Sequence, residues 1–419
     1  MSVFTIVGGQ PLSGAVGVQG AKNSALPLLA ATVLAEGVSV LKGCPRLTDT
    51  QVAVHILRHI GCRVWEDGND LYVDSSGPIT PEIPEALMRR MRSSVVFLGP
   101  ILARTGEAVL SAPGGCQLGP RPVDLHVAAL RSLGAEIDDR DGGLRCRAAK
   151  LSGSRIDLPT PSVGATENAM LAAARASGLT VITGAAREPE IEDLQRFLQK
   201  AGALVSGAGS GVIRVRGVEK LHGAVHRVLP DRIAAATWLC ACAAAGGEVT
   251  LYDTEPRHYA ALLRSLREMG CQLRVGEGTV TLRRTEPLQA PRPIVTKPYP
   301  GFPTDAQPLL MAACLRATGS TVFIETIFES RYRHAEELRL LGADVRTAGR
   351  TAVVQGVERL QGAALTAADL RGGAALAIAA LSAEGESTLQ GAAHIDRGYA
   401  RLEETLRALG AEIIRKGEP

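Results

Sequence analysis

The chain has 419 residues, of which 46% are hydrophobic, 21% charged and only 3% aromatic, and its formal net charge is +3. That length exceeds the roughly 250–300 residues at which one core stops growing, so two or three domains are expected, with interiors built from Ala, Leu and Val. The small charge is spread along the chain without a basic block carrying interleaved aromatics, which argues against nucleic-acid binding.

The first ten residues lack the basic n-region and long apolar h-region of a secretory signal, and a short strand is expected over residues 4–7. The longest apolar stretch, residues 233–245, is interrupted by Thr237 and too short to span a bilayer. A soluble cytoplasmic protein with no membrane span is expected.

A helix ending followed by a strand recurs six times, centred on Gly61, Gly134, Gly202, Gly270, Gly342 and Gly410. The steps between these glycines are 73, 68, 68, 72 and 68 residues. Each glycine suits the left-handed position just past a helix, and the alternation after it suits a strand. Each repeat also carries a second, Ala-rich helix. These begin near Lys22-Asn23, Arg92-Ser93, Ser162-Val163-Gly164, Asp231-Arg232, Thr304-Asp305 and Asp369-Leu370-Arg371. Several run through Gly into β-branched strands, as at Gly37-Val38, Gly247-Glu248 and Gly319-Ser320.

Small Ala faces allow close helix packing, so these helices belong inside with the strands outside. The longer steps head two triplets, which divides the chain at Leu229-Pro230. The fold class is therefore α/β: two pseudo-threefold domains, each of three units with buried parallel helices and outer mixed sheets. The domains are residues 22–229, and residues 1–21 joined with 230–419, the N-terminal strand pairing in the C-terminal half.

Between residues 113 and 122, three glycines and three prolines surround Cys116, five residues ahead of Arg121. No regular helix or central strand fits there, so a surface loop is expected. A thiol near a guanidinium is easier to ionise, although an incidental exposed thiol stays open as a reading. None of the eight cysteines forms a C-x-x-C pair, and most lie in apolar surroundings, where a cysteine reads as a small core residue. His55 and His59 have zinc-helix spacing without the accompanying Glu and read as surface residues.

If equivalent helices run parallel, their N-termini cluster, each presenting free N–H groups and about half a positive charge. Two such domains facing each other would line a cleft suited to anionic substrates. Asp231 and Asp369 could equally be simple caps. Lys22 could not, because its own helix end repels it.

These residues resemble the enolpyruvyl transferases and, among them, the UDP-N-acetylglucosamine 1-carboxyvinyltransferases. The resemblance is carried by Gly20-Ala21-Lys22-Asn23, the Cys116 loop running on to His126, Ser162-Val163-Gly164-Ala165-Thr166-Glu167, Ala186 to Ile191, Leu229 to Arg232, Phe302 to Asp305 and His394 to Tyr399. It implies the enolpyruvyl transferase fold, an inverse α/β barrel. It also implies transfer of the enolpyruvyl group of phosphoenolpyruvate to the 3′-hydroxyl of UDP-N-acetylglucosamine, opening peptidoglycan synthesis, with no cofactor and no metal.

By that resemblance Cys116 is the general acid and the site of a phosphothioketal adduct, Asp305 the base, and Asp369 a further proton carrier. Lys22, Asn23, Arg121, Arg331, Arg371 and Arg397 would bind phosphoenolpyruvate, with Lys22 and Arg397 counted as catalytic. The nucleotide sugar would be lined by Asn23, Arg92, Arg121, Pro122, Val123, Asp124, Leu125, Ser162, Val163, Gly164, Asp305 and Ile327. Thr160 and Ser330 stand where some relatives carry a basic residue and an Asn. A loop cysteine implies sensitivity to the epoxide phosphonate fosfomycin. Two other readings are a shikimate-pathway enolpyruvyl transferase and a nucleotide-sugar-binding paralogue without turnover.

Overall fold

The computed structural model describes residues 2–111, 123–139 and 143–417. The described chain divides into two compact units, one of residues 2–19 and 230–417, the other of residues 20–111 and 123–229. Gly20 and Ala21 therefore go with the Lys22 helix and not, as the sequence suggests, with residues 1–19. The Ala21 N–H accounts for this, donating to the Leu229 carbonyl at 2.7 Å.

Each unit contains three four-stranded sheets with one pattern: a parallel pair, then two antiparallel neighbours. In the unit of residues 2–19 and 230–417, one sheet orders Ala364–Thr366, Glu386–Gln390, Val3–Val7 and Glu412–Lys416. Val3–Val7 there takes the position that an internal hairpin strand holds in the other sheets, so the chain's first strand completes its last repeat. A two-stranded pair, Leu221–His222 with Ala35–Glu36, lies apart from the six sheets.

The Ala-rich helices are interior. Arg232–Ala245, Gln307–Cys314 and Leu370–Leu381 pack on one another, and all twelve residues of the last are buried. In the other unit the inner helices are Lys22–Thr32, Leu98–Thr105 and Val163–Ala173. Two α-helices start later than the sequence suggested: Arg92–Phe97 and Thr304–Ala306 are 3-10 turns ahead of Leu98 and Gln307. The reason is Pro100 and Pro308, which lack an N–H and belong in a helix's first turn.

The six outer helices end alike. Gly61, Gly134, Gly202, Gly270, Gly342 and Gly410 all have positive φ, between 88° and 108°. In each, the next N–H reaches back across the last turn, for example Cys62 to the Leu57 carbonyl at 2.9 Å and Ala411 to Leu406 at 3.0 Å. This Schellman closure satisfies carbonyls that a helix end otherwise leaves bare, and aims the chain into the following strand. His55 and His59 are exposed on the Thr48–His59 helix. No helix among the described residues is long and apolar enough to cross a membrane.

Candidate active site

In the unit of residues 20–229, Lys22 opens the Lys22–Thr32 helix, and Ala21 ahead of it offers no side-chain cap. A cation there opposes the helix's own positive end. Asp49, in the first turn of Thr48–His59, answers it at 3.3 Å from Nζ. The two side chains are 12% and 2% exposed, so water screens the pair poorly.

Asn23 follows in the same turn, and then Ser24, whose hydroxyl donates to Asp193. Asp193 also accepts from His226 Nε2 at 3.0 Å and from the Leu229 N–H at 3.3 Å. One buried carboxylate thus fastens the start of the Lys22 helix to the segment that ends the unit.

The candidate nucleotide-sugar positions of this unit share a second buried network. Ser162 caps Val163–Ala173, its Oγ accepting from Ala165 N–H at 3.3 Å. At Gly164 an added Cβ would come within 2.9 Å of the His126 ring, so only glycine lets that ring approach the helix start. His126 belongs to Asp124–Ser132, the helix that Val123 leads and that carries Asp124 and Leu125. The Asn168 amide donates to His126 Nδ1 at 2.7 Å and to the Val95 carbonyl at 2.9 Å, while its oxygen accepts from Gly99 N–H at 2.7 Å.

Burial lowers His126 to about 4, against the nearby Asp124, so the ring is neutral and Nε2 carries its proton. Arg92 opens the 3-10 turn that Asn168 ties down. Thr160 is exposed. Two of the quoted motifs also meet: burial, then Glu190 and Glu188, push the Glu167 carboxyl well above the usual range.

In the unit of residues 2–19 and 230–417, the starts of the three inner helices converge. Asp231 caps Arg232–Ala245, accepting from Ile233 and Ala234 N–H. Asp369 caps Leu370–Leu381, accepting from Arg371 and Gly372 N–H. Asp305 sits in the turn before Gln307–Cys314 and meets two buried arginines: Arg331 Nη2 at 2.8 Å and Arg371 Nε at 3.3 Å.

Arg331 also donates to the Thr304 carbonyl, which fixes the Asp305 turn. Burial alone would lower Arg371, but Tyr399, Asp305 and Asp231 outweigh it and hold the guanidinium firmly charged. Its Nη1 and Nη2 have no hydrogen-bond partner among the described residues. Such an arginine is poised to take a further anion.

Glu325 organises the neighbouring loop, accepting from Thr304 Oγ1 at 2.9 Å and from the N–H groups of Ile327 and Phe328 at 2.7 and 3.0 Å. Ile327 is thereby presented outward, 39% exposed. His334 is fully buried, and burial lowers it to about 4, so it stays neutral beside Asp369 and Arg331. Arg397 is half-buried in the turn that leads to Tyr399.

The structure therefore gathers Asp305, Arg331, Arg371 and Asp369 in one unit. In the other it joins Ser162, Val163 and Gly164 to the segment bearing Val123, Asp124 and Leu125. Cys116, Arg121 and Pro122 lie outside the described residues. Sequence reasoning missed Asp193 and Glu325. For Asp193 a signal existed: it lies on the apolar face of Pro189–Lys200, beside Ile191, Leu194 and Phe197, where a carboxylate demands buried partners.

A family model described as EPSP synthase (3-phosphoshikimate 1-carboxyvinyltransferase) matches residues 6–406. The chain is 49% identical over 415 residues to a UDP-N-acetylglucosamine 1-carboxyvinyltransferase 2 of Caldanaerobacter subterraneus, covering 99% of this chain and 100% of that one. A UDP-N-acetylglucosamine 1-carboxyvinyltransferase 1 of Symbiobacterium thermophilum is also 49% identical, over 98% and 95% of the two chains. Among solved structures, the enolpyruvyl transferase NikO from Streptomyces tendae superposes with a TM-score of 0.89 at 29% identity, over 100% and 99% of the two chains. An EPSP synthase from Acinetobacter baumannii matches in fold, with a TM-score of 0.77 at 20% identity over the full length of both.

Proposed function

The chain belongs to the UDP-N-acetylglucosamine 1-carboxyvinyltransferases of the enolpyruvyl transferase family, and on that premise we propose how its residues carry out the transfer. The enzyme moves the enolpyruvyl group of phosphoenolpyruvate onto the 3′-hydroxyl of UDP-N-acetylglucosamine and releases phosphate, in peptidoglycan synthesis in the cytoplasm. The observation that carries this reading is the 49% identity, over essentially the whole chain, with a relative of that name.

An enol ether cannot form by phosphoryl displacement alone. The alkene takes a proton at C3, the sugar hydroxyl attacks C2, and the tetrahedral ketal then loses phosphate and a C3 proton. A general acid, a base and several cations are needed.

Cys116 supplies the proton to C3, and its thiolate can add to C2 as a phosphothioketal. Asp305 takes the proton of the sugar hydroxyl. Supporting this, the two arginines hold its carboxylate fixed in place. Lys22, Asn23, Arg121, Arg331, Arg371 and Arg397 hold the phosphate and carboxylate of phosphoenolpyruvate, Lys22 and Arg397 acting at the reacting end. The unpartnered Nη nitrogens of Arg371 favour that role.

Asp369 is a candidate for the C3 proton transfers, although its Oδ1 already accepts two helix N–H groups. Asn23, Arg92, Arg121 to Leu125, Ser162 to Gly164, Asp305 and Ile327 line the nucleotide sugar. The two domains are those that the chain crossings at residues 19–20 and 229–230 delimit.

Phosphate release with phosphoenolpyruvate and each acceptor in turn tests the assignment. Turnover with UDP-N-acetylglucosamine, and none with shikimate 3-phosphate, is expected. Turnover with the shikimate ester alone, or with neither acceptor, would overturn it.

A further inference from the structure

Gln19, the last residue before the chain leaves the unit of residues 2–19 and 230–417, has a side chain with two partners far along the sequence. Its Nε2 donates to the Gly398 carbonyl at 3.0 Å, and its Oε1 accepts from the Ala400 N–H at 2.9 Å. One amide thus gives the turn the pairing that a neighbouring strand would give. The backbone carbonyl of Gln19 also accepts from the Asp231 N–H at 2.8 Å, at the cap of Arg232–Ala245.

Tyr399 stands between the two amide contacts and is 1% exposed. Its hydroxyl shares a 2.7 Å hydrogen bond with Thr237 of the same capped helix, and the Trp238 ring meets its ring edge-on at 5.8 Å. Backbone, hydroxyl and ring are all fixed. The Tyr399 ring then lies 5.4 Å from Arg371 Cζ, within cation–π range, and such a contact strengthens out of water. Arg371 needs that support: its Nε donates to Asp305 at 3.3 Å, and the nearby Tyr399 hydroxyl further favours its charged form. Held at one edge and against one ring, the guanidinium keeps both Nη nitrogens for a ligand.

We propose that Gln19 and Tyr399 are positioning residues for phosphoenolpyruvate: through the 398–400 turn they set the Arg371 guanidinium so that its unpartnered edge meets the substrate anion. The proposal rests on the reading of Arg371 as a ligand of phosphoenolpyruvate.

The test is steady-state kinetics on the full chain, each substrate varied in turn, with melting temperatures measured alongside. Gln19→Ala is expected to raise KM for phosphoenolpyruvate about five- to tenfold, the effect of losing a pair of hydrogen bonds, and to leave KM for the nucleotide sugar within about twofold. Tyr399→Phe keeps the ring but removes the hydroxyl that meets Thr237 and favours the charged Arg371, and it carries the test should Gln19→Ala fail to fold; about a two- to fivefold rise in the same KM is expected.

An unchanged KM for phosphoenolpyruvate overturns the proposal, as do two KM values that rise together in step with a falling melting temperature. Arg371→Ala separates the two levels. If it leaves that KM unchanged, the ligand reading fails. If it raises KM while the other variants do not, only the positioning role fails.

Discussion

Asp193→Ala removes a carboxylate that three buried groups share: the Ser24 hydroxyl, the His226 ring and the Leu229 N–H. Each donor stranded without an acceptor costs about 1–3 kcal/mol, so the loss of all three should destabilise the unit by about 3–9 kcal/mol. Arg196, 42% exposed, loses little on its side of the ion pair. For a unit of this size the loss corresponds to roughly 10 °C or more in melting temperature. Ser24→Ala should cost only about 1 kcal/mol, and the double variant should fall short of the sum, since the two groups share one bond.

A pH signature accompanies this. Burial alone would raise the Asp193 pKa, but His226, Ser24 and Arg196 outweigh it and hold the carboxyl below its ordinary range. A carboxyl lowered in the folded state adds stability that is fully present above its unfolded value of about 3.9, and lost as pH falls through the folded value. Asp193→Asn should therefore show a shallower loss of stability with acid below about pH 4 than the parent chain. Thermal unfolding from pH 7 down to pH 3 checks both effects. A drop below about 2 °C for Asp193→Ala at pH 7 would refute the reasoning, because the stranded donors would then have found other partners.

Asp305→Asn should cut kcat by about 100-fold or more, as expected for loss of a general base, with a smaller change in KM for the nucleotide sugar; a kcat within tenfold of the parent would remove Asp305 from that role. Gly164→Ala forces a Cβ to 2.9 Å from the His126 ring and should cost about 1–3 kcal/mol while raising KM chiefly for the nucleotide sugar; equal changes in both KM values would count against the placing of that substrate at the Ser162–Gly164 helix start. Gly342→Ala meets no atom within 4 Å but must hold φ at +88°, so melting should fall by the equivalent of about 1–2 kcal/mol without any effect on turnover. Incubation with fosfomycin and UDP-N-acetylglucosamine should add one drug mass to the parent chain and none to Cys116→Ser, read by intact mass spectrometry; an unmodified parent chain would contradict the assignment of the loop thiol.

The repeat was legible because helix ends are governed locally. A glycine in the left-handed region closes a helix through bonds that span only six residues, so six glycines at near-constant spacing announce six helix–strand corners. Lys22 was legible for a similar reason, since a cation at a helix start contradicts the local dipole and calls for an external partner. Asp49, 27 residues further on, was not, because nothing in its neighbourhood marks it as that partner. The late α-helix starts at Leu98 and Gln307 were missed because Pro100 and Pro308 act on the turn before them, a subtler signal than the Ala-rich run behind.

By itself, then, the sequence determined the sixfold unit, the interior place of the Ala-rich helices and the family, each of which rests on local backbone chemistry or on residue identity in short motifs. Tertiary structure alone decided which charges meet. Asp305 lies between Arg331 and Arg371, 26 and 66 residues away, and Asp193 binds Ser24 across 169 residues. Gln19 grips a turn nearly 380 residues distant. Such pairings follow from the way three repeats close around their helices, which brings together helix starts that no sequence window contains.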